Sequence, residues 1–200
     1  MAVGRKAAYK AIALNNTMTG NLVMTTAGQS LVSSVEDVCL DGVVHRTTLR
    51  LNSFYRPITA DADLAFGQKL FTFPSRVIQP LGGWMRFSMN CPTGLSTTAG
   101  EVALGTVVGS GAVSVLTGTG TFNNLLKAET LTSVSANTTV TQTLLSAGGV
   151  AGVSEPLDGI TSALDAFFNI SSAWNQTSSE NVTFSSGIVV VKWADLGSWS

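Results

Sequence analysis

From Trp84 to Cys91 the chain alternates strictly. Met85, Phe87, Met89 and Cys91 fall on one side; Trp84, Arg86, Ser88 and Asn90 fall on the other. Successive side chains of an extended strand point to opposite faces, whereas a helix returns to the same face every 3.6 residues. A strand with one buried face therefore satisfies this pattern and a helix does not. Gly82-Gly83 stands before it and Pro92-Thr93-Gly94 after it, residues that punctuate strands. A half-buried strand needs a sheet around it and a second layer to cover its apolar face.

Other segments repeat the pattern more weakly. Between Val43 and Tyr55, Leu49 and Leu51 oppose Arg46, Arg50 and Asn52, and Arg56-Pro57 is expected to end the strand because proline cannot donate to a ladder. Lys69 to Phe73 reads as a strand closed by Pro74, and Glu101 to Val108 as one with Val102, Leu104 and Val108 aligned. Ala112 to Leu116 and Thr119 to Phe122 read as short strands between glycines. Residues 127–160, rich in Thr, Ser, Gly and Ala, read as loops with one or two weak strands. Leu164, Ala166, Phe168 and Ile170 define a further strand. Val182, Phe184, Ile188 and Val190 define the last, interrupted at Ser185-Ser186-Gly187 by what reads as a bulge. With no long amphipathic helix and no fixed repeat, the expected fold is all-β: an antiparallel β-sandwich, jelly-roll-like, over residues 42–200. Residues 1–41 lack the period and are expected to form an extended N-terminal arm, with a basic tail over 1–20 and a mildly apolar stretch over 21–41.

Charged residues are only 12% of the chain while hydrophobic residues are 44%. That apolar content can offset the entropy of ordering, so a folded chain is expected. So little charge also makes a weakly repelling surface, one suited to being covered by copies of itself or by a partner. Nine of the eleven bases lie in residues 1–86, yet only Arg5, Lys6 and Lys10 cluster in sequence, with Tyr9 among them. No run of bases resembles a nucleic-acid groove. No apolar h-region and no run of about 20 apolar residues is present, so synthesis in the cytoplasm without membrane insertion is expected. In that compartment Cys39 and Cys91 read as unpaired thiols, a disulfide being the alternative. The N-x-[ST] triplets at Asn15, Asn137, Asn169, Asn175 and Asn181 carry no weight in a chain so rich in Ser and Thr.

Reacting groups are sparse. His45 is the sole histidine, readable as a general base or as a partly buried strand residue, and no Ser-His-acid array or G-x-S-x-G elbow is anchored on it. One His and two distant Cys do not make a zinc pattern, and Asp61-Ala62-Asp63 lacks the further ligands of a calcium loop. Gly109-Ser110-Gly111 and Gly118-Thr119-Gly120 lack the Lys-[ST] of a phosphate loop and read as turns. Trp84, Trp174, Trp193 and Trp199 offer sugar stacking or, more simply, packing and subunit contact. The expectation is a protein without catalytic residues, cofactor, metal or small-molecule substrate.

The segment Glu101-Val102-Ala103-Leu104-Gly105-Thr106-Val107-Val108-Gly109-Ser110-Gly111-Ala112-Val113 resembles an E-x-x-L-G-T-V-x-x-S-G-A-V stretch of virion proteins from tailed bacteriophages. The ending Trp193-Ala194-Asp195-Leu196-Gly197 is similar to the W-x-x-L-G that closes them. The resemblance, over roughly residues 42–197, is to capsid decoration, or cement, proteins. It implies a jelly-roll-like, often trimeric subunit on the outside of an icosahedral head, bridging capsomers, with the major capsid protein as partner and no catalytic residues. Under that reading Arg5, Lys6, Tyr9 and Lys10 of the arm are the expected capsid contacts. The alternative is a head-fibre or tail adhesion domain whose Trp84 and Gly/Thr-rich loops bind host-surface glycans. A glycan hydrolase with a carboxylate pair drawn from distant strands is a third reading.

Overall fold

The computed structural model describes residues 32–58, 65–92, 94, 100–113, 115–117, 121–146, 156–171 and 180–197. The strands are β1 (Val32–Cys39), β2 (Val44–Leu51), β3 (Phe54–Ile58), β4 (Phe66–Thr72), β5 (Val77–Asn90), β6 (Glu101–Gly105), β7 (Leu126–Thr130), β8 (Thr139–Ser146), β9 (Leu157–Asp158), β10 (Asp165–Ile170) and β11 (Glu180–Asp195). Among the described residues there is no helix. A seven-stranded sheet runs β1-β2-β11-β5-β8, with β3 added to β11 and β9 to β5; a four-stranded sheet runs β4-β10-β6-β7. Every strand pairing is antiparallel. The fold is the expected all-β sandwich.

The core lies between the two sheets and follows the alternation of β5. Met85, Phe87, Met89 and Cys91 are buried, while Trp84 and Arg86 are exposed on the other face. Phe87 meets Phe168 of β10, in the opposite sheet, edge-on with ring centroids 5.3 Å apart. The expected bulge in β11 is present: the ladder with β5 shifts register between Ser185 and Ile188, where two residues of β11 face one of β5. A Cβ on Gly187 would lie 2.7 Å from the Arg86 carbonyl oxygen, so the bulge requires a glycine there.

Several expectations are corrected. Gly82-Gly83 does not precede β5 but lies within it, at a second bulge where Leu81 is the extra residue between pairs Gly82–Lys192 and Pro80–Trp193. Gly82 takes φ +96°, and a Cβ on Gly83 would sit 2.0 Å from the Val190 carbonyl oxygen, so the pair lets a 14-residue strand stay against β11. Arg56-Pro57 does not end a strand. Pro57 pairs with Asn181 inside β3, which has β11 as its only partner strand among the described residues, and an edge position tolerates the missing donor. The described residues of Ala112 to Leu116 are not in a strand; beside them Gly111 makes an isolated bridge to Ala65. Residues 127–160 hold more sheet than expected, since β7, β8 and β9 all pair. The expected arm boundary at residue 41 is too late: Val32–Cys39 pairs along β2 as the edge strand of the larger sheet. Tail residues 1–31 lie outside the described residues.

The described residues of segment 106–125 cover the outer face of the four-stranded sheet. Leu116 packs with Ala103 and Ala128, with Val113 and Phe122 against them. Two side chains from the sheet hold this cover. The Glu101 carboxylate accepts the main-chain N–H groups of Leu116 and Thr117 and the Thr117 hydroxyl. The Asn169 amide accepts from Gly109 N–H and donates to the carbonyls of Val107 and Phe122.

Two exposed turns are closed by carboxylates. Asp41 accepts the N–H groups of Val44 (2.7 Å) and Val43 (3.2 Å) in the β1–β2 connection, and these bonds hold its pKa below the ordinary aspartate value. Asp158 is held low by the Thr161 hydroxyl (2.6 Å) and then by the Ile160 and Thr161 N–H groups. A carboxyl depressed in the folded state stabilises the turn above its unfolded pKa, and that contribution is lost as pH falls through the folded value. Acidification below about pH 4 is therefore expected to loosen both turns before the core. Amide protection at Val44 and Thr161 should fall first; protection unchanged down to the lowest pH at which the fold survives would count against these carboxylates as the turn acceptors.

Candidate functional site

The richest polar cluster centres on His45. The β1–β2 register sets Asp37 opposite Thr47 and Cys39 opposite His45, and the β2–β11 register sets His45 opposite Trp193. His45 Nδ1 lies 2.7 Å from Asp37 Oδ2, the Thr47 hydroxyl donates to Asp37 Oδ1 at 2.7 Å, and Trp193 Nε1–H donates to Thr47 Oγ1 at 2.9 Å. The imidazole stacks on the indole, with centroids 4.2 Å apart and planes 14° from parallel. A carboxylate on Nδ1 is half of an acid–base triad; the other half is a hydroxyl or thiol bonded to Nε2. Among the described residues nothing bonds there. The geometry serves packing instead: it satisfies the buried indole N–H and ties the edge strand β1 to β2 and β11. Asp37 was missed from sequence because β1 has too few apolar residues to show an alternating pattern.

The other candidate groups are dispersed. Among the described residues no three His, Cys, Asp or Glu side chains gather as a metal site. The Gly109 N–H, a nominal phosphate donor, is already bonded to Asn169 Oδ1 at 2.8 Å. Cys39 and Cys91 are free. Cys39 ends β1 and Cys91 follows the end of β5; β2 and β11 lie between those strands, a lateral separation of about 14 Å at the usual strand spacing, already too far to bridge. Arg5, Lys6, Tyr9, Lys10, Asp61, Asp63, Gly118, Trp174 and Trp199 lie outside the described residues.

What the fold does assemble is a face. On the outside of the seven-stranded sheet, Arg50, Ile188 and Arg86 form one cross-strand row, and Thr48, Val190 and Trp84 form the next. Arg46 and Lys192 oppose each other in a third. Arg46, Arg50, Arg86 and Lys192 are all exposed. Trp84 is 36% exposed beside Val190 at 6%. On β1, Glu36 is opposite Thr48 and brings one acid to the same face. The ion pairs among the described residues are His45–Asp37, Lys69–Asp165 and Arg76–Asp195, and none uses the four bases of this face. Sequence reasoning noted these bases singly. They come together only because β2, β11 and β5, far apart in the chain, pair side by side.

No protein-family model, curated protein or solved structure matches the chain.

Proposed function

We propose that this protein is a structural component of a large assembly, a capsid decoration protein that binds the shell through the outer face of its seven-stranded sheet. The observation that carries the reading is that face: four exposed bases around a partly exposed tryptophan, with no ion pair to them among the described residues. An apolar centre ringed by arginine is the usual anatomy of a protein–protein contact. The resemblance of 101–113 and 193–197 to virion proteins supports the same role. So does a chain with little charge, for which a partly covered surface is an advantage.

Exposed Trp84 also fits the adhesion alternative, in which an indole stacks on a sugar ring. Electron microscopy of particles carrying the chain separates the two. Density repeated across the shell, with a copy number that scales with the number of capsomers, is the expected result. Density confined to the tail or vertices would replace decoration by adhesion.

A further inference from the structure

We infer that the outer face of the seven-stranded sheet recognises a carboxylate-rich protein surface, with Arg46, Arg50, Arg86 and Lys192 receiving the acidic groups and Trp84 the apolar contact between them. The inference rests on the reading of this face as the docking surface and names the chemistry of its partner.

Three observations lead there. First, Arg46 and Lys192 are directly paired across β2 and β11. Like charges in opposed positions work against sheet formation. Elsewhere the same chain neutralises bases with aspartate, as in Lys69–Asp165 at 2.8 Å, whereas among the described residues this pair has no ion-paired acid. Second, these rows are strongly one-signed among the described residues, four bases against Glu36, in a chain of net charge −1. Complementary charge across an interface steers encounter and sets register. Arginine, three of the four, matches the planar, bidentate geometry of a carboxylate.

Third, the arrangement suits an acidic protein better than a nucleic acid. The two basic rows lie about 13 Å apart, four residues along the strand, with the Thr48–Val190–Trp84 row between them. A phosphate backbone needs a continuous basic track, and strand-binding platforms stack successive bases on several aromatics. Trp84 is the one aromatic in these three rows. The face is also small. Five strands and the eight residues of β2 span about 19 by 26 Å, below the roughly 800 Å² a stable contact covers on each partner. One copy would hold weakly, so retention on an assembly would come from repetition, each further contact adding avidity.

The test uses the full chain and two variants, Arg46→Thr/Lys192→Thr and Trp84→Ser. Binding is measured to immobilised poly-L-glutamate, to single-stranded DNA and to heparin over a salt series, and to particles stripped of the chain. Urea unfolding of each protein runs in parallel. The wild type is expected to prefer poly-L-glutamate, with affinity falling as salt rises. The double variant should lose at least tenfold in affinity for both poly-L-glutamate and particles while unfolding at the same or higher urea. Tighter binding to DNA or heparin, no binding to any polyanion, or undiminished poly-L-glutamate binding by the double variant would overturn the acidic-partner inference. Loss of particle binding in Trp84→Ser alone would also overturn it, yet keep the docking face. Particle binding unchanged in both variants would remove the docking face itself.

Discussion

Replacing Asn169 with Asp is expected to cost about 3–5 kcal/mol and to release the cover formed by segment 106–125, a large effect for a change of one atom. Asn169 sits on β10 with 0% exposure. Its Oδ1 accepts the Gly109 N–H at 2.8 Å, and its Nδ2 donates to the Val107 carbonyl at 2.9 Å and the Phe122 carbonyl at 3.0 Å. The main chain packs closely around it: a Cβ on Gly67 would lie 2.7 Å from Oδ1. An ionised carboxylate keeps the first bond and turns the other two into contacts between acceptors, in a place water does not reach. Asn169→Ala should cost less, about 2–4 kcal/mol, since it removes the bonds without adding repulsion. Urea unfolding gives the stabilities, and limited proteolysis within 106–125 reports release of the cover. An Asp variant as stable as the wild type, with no new cleavage, would show that this amide does not hold the segment. The same residue opens an N-x-[ST] triplet, and its burial removes it as a glycan acceptor.

The parts of the fold legible in sequence were those where apolar alternation and packing agree. β5, β10 and the bulged β11 carry Met, Phe, Val and Ile on their inner faces and each lies where a strand was expected, but the extra residue of the bulge turns β11 over beyond it, so that Val189 and Val191 enter the core while Ile188 and Val190, expected to continue the face of Phe184, point outward. β8 was weakly legible because a core position is held by Gln142, whose side chain bonds the N–H and hydroxyl of Thr132 and the Thr130 carbonyl. Its amide spans from β8 to the segment around β7, so a polar residue does the work that period-two reading assigns to an apolar one. Segment 106–125 misled in the opposite sense. Its valines and glycines look like short strands, but it lies over the small sheet, held by Glu101 and Asn169, and exposes Val107, Val108 and Val115. The basic face could not be read from sequence, because cross-strand neighbours are fixed by register between β2, β11 and β5 rather than by spacing along the chain.

That face depends on the core beneath it, because Arg86 and Phe87 are successive residues of β5 that point to opposite sides. Phe87→Ala is expected to cost about 3–5 kcal/mol. Phe87 is 2% exposed, and its ring joins Phe168 of the opposite sheet (5.3 Å, edge-on) and Phe184 of β11 (5.8 Å, tilted). Phe168 and Phe184 are themselves edge-on at 5.8 Å, so the three rings close a triangle across the sandwich. Truncation would remove two aromatic contacts, each worth about 0.5–1.5 kcal/mol beyond buried area, and leave a cavity that both sheets would have to move to fill. Phe87→Leu keeps most of the volume and should cost about half as much. The neighbouring Arg86→Ala, on the exposed face, should change stability by no more than about 0.5 kcal/mol. Measured together by urea unfolding, the three variants test register directly: a near-neutral Phe87→Ala beside a costly Arg86→Ala would turn the strand over. It would also move Arg86 and Trp84 into the core, and the basic docking face with them.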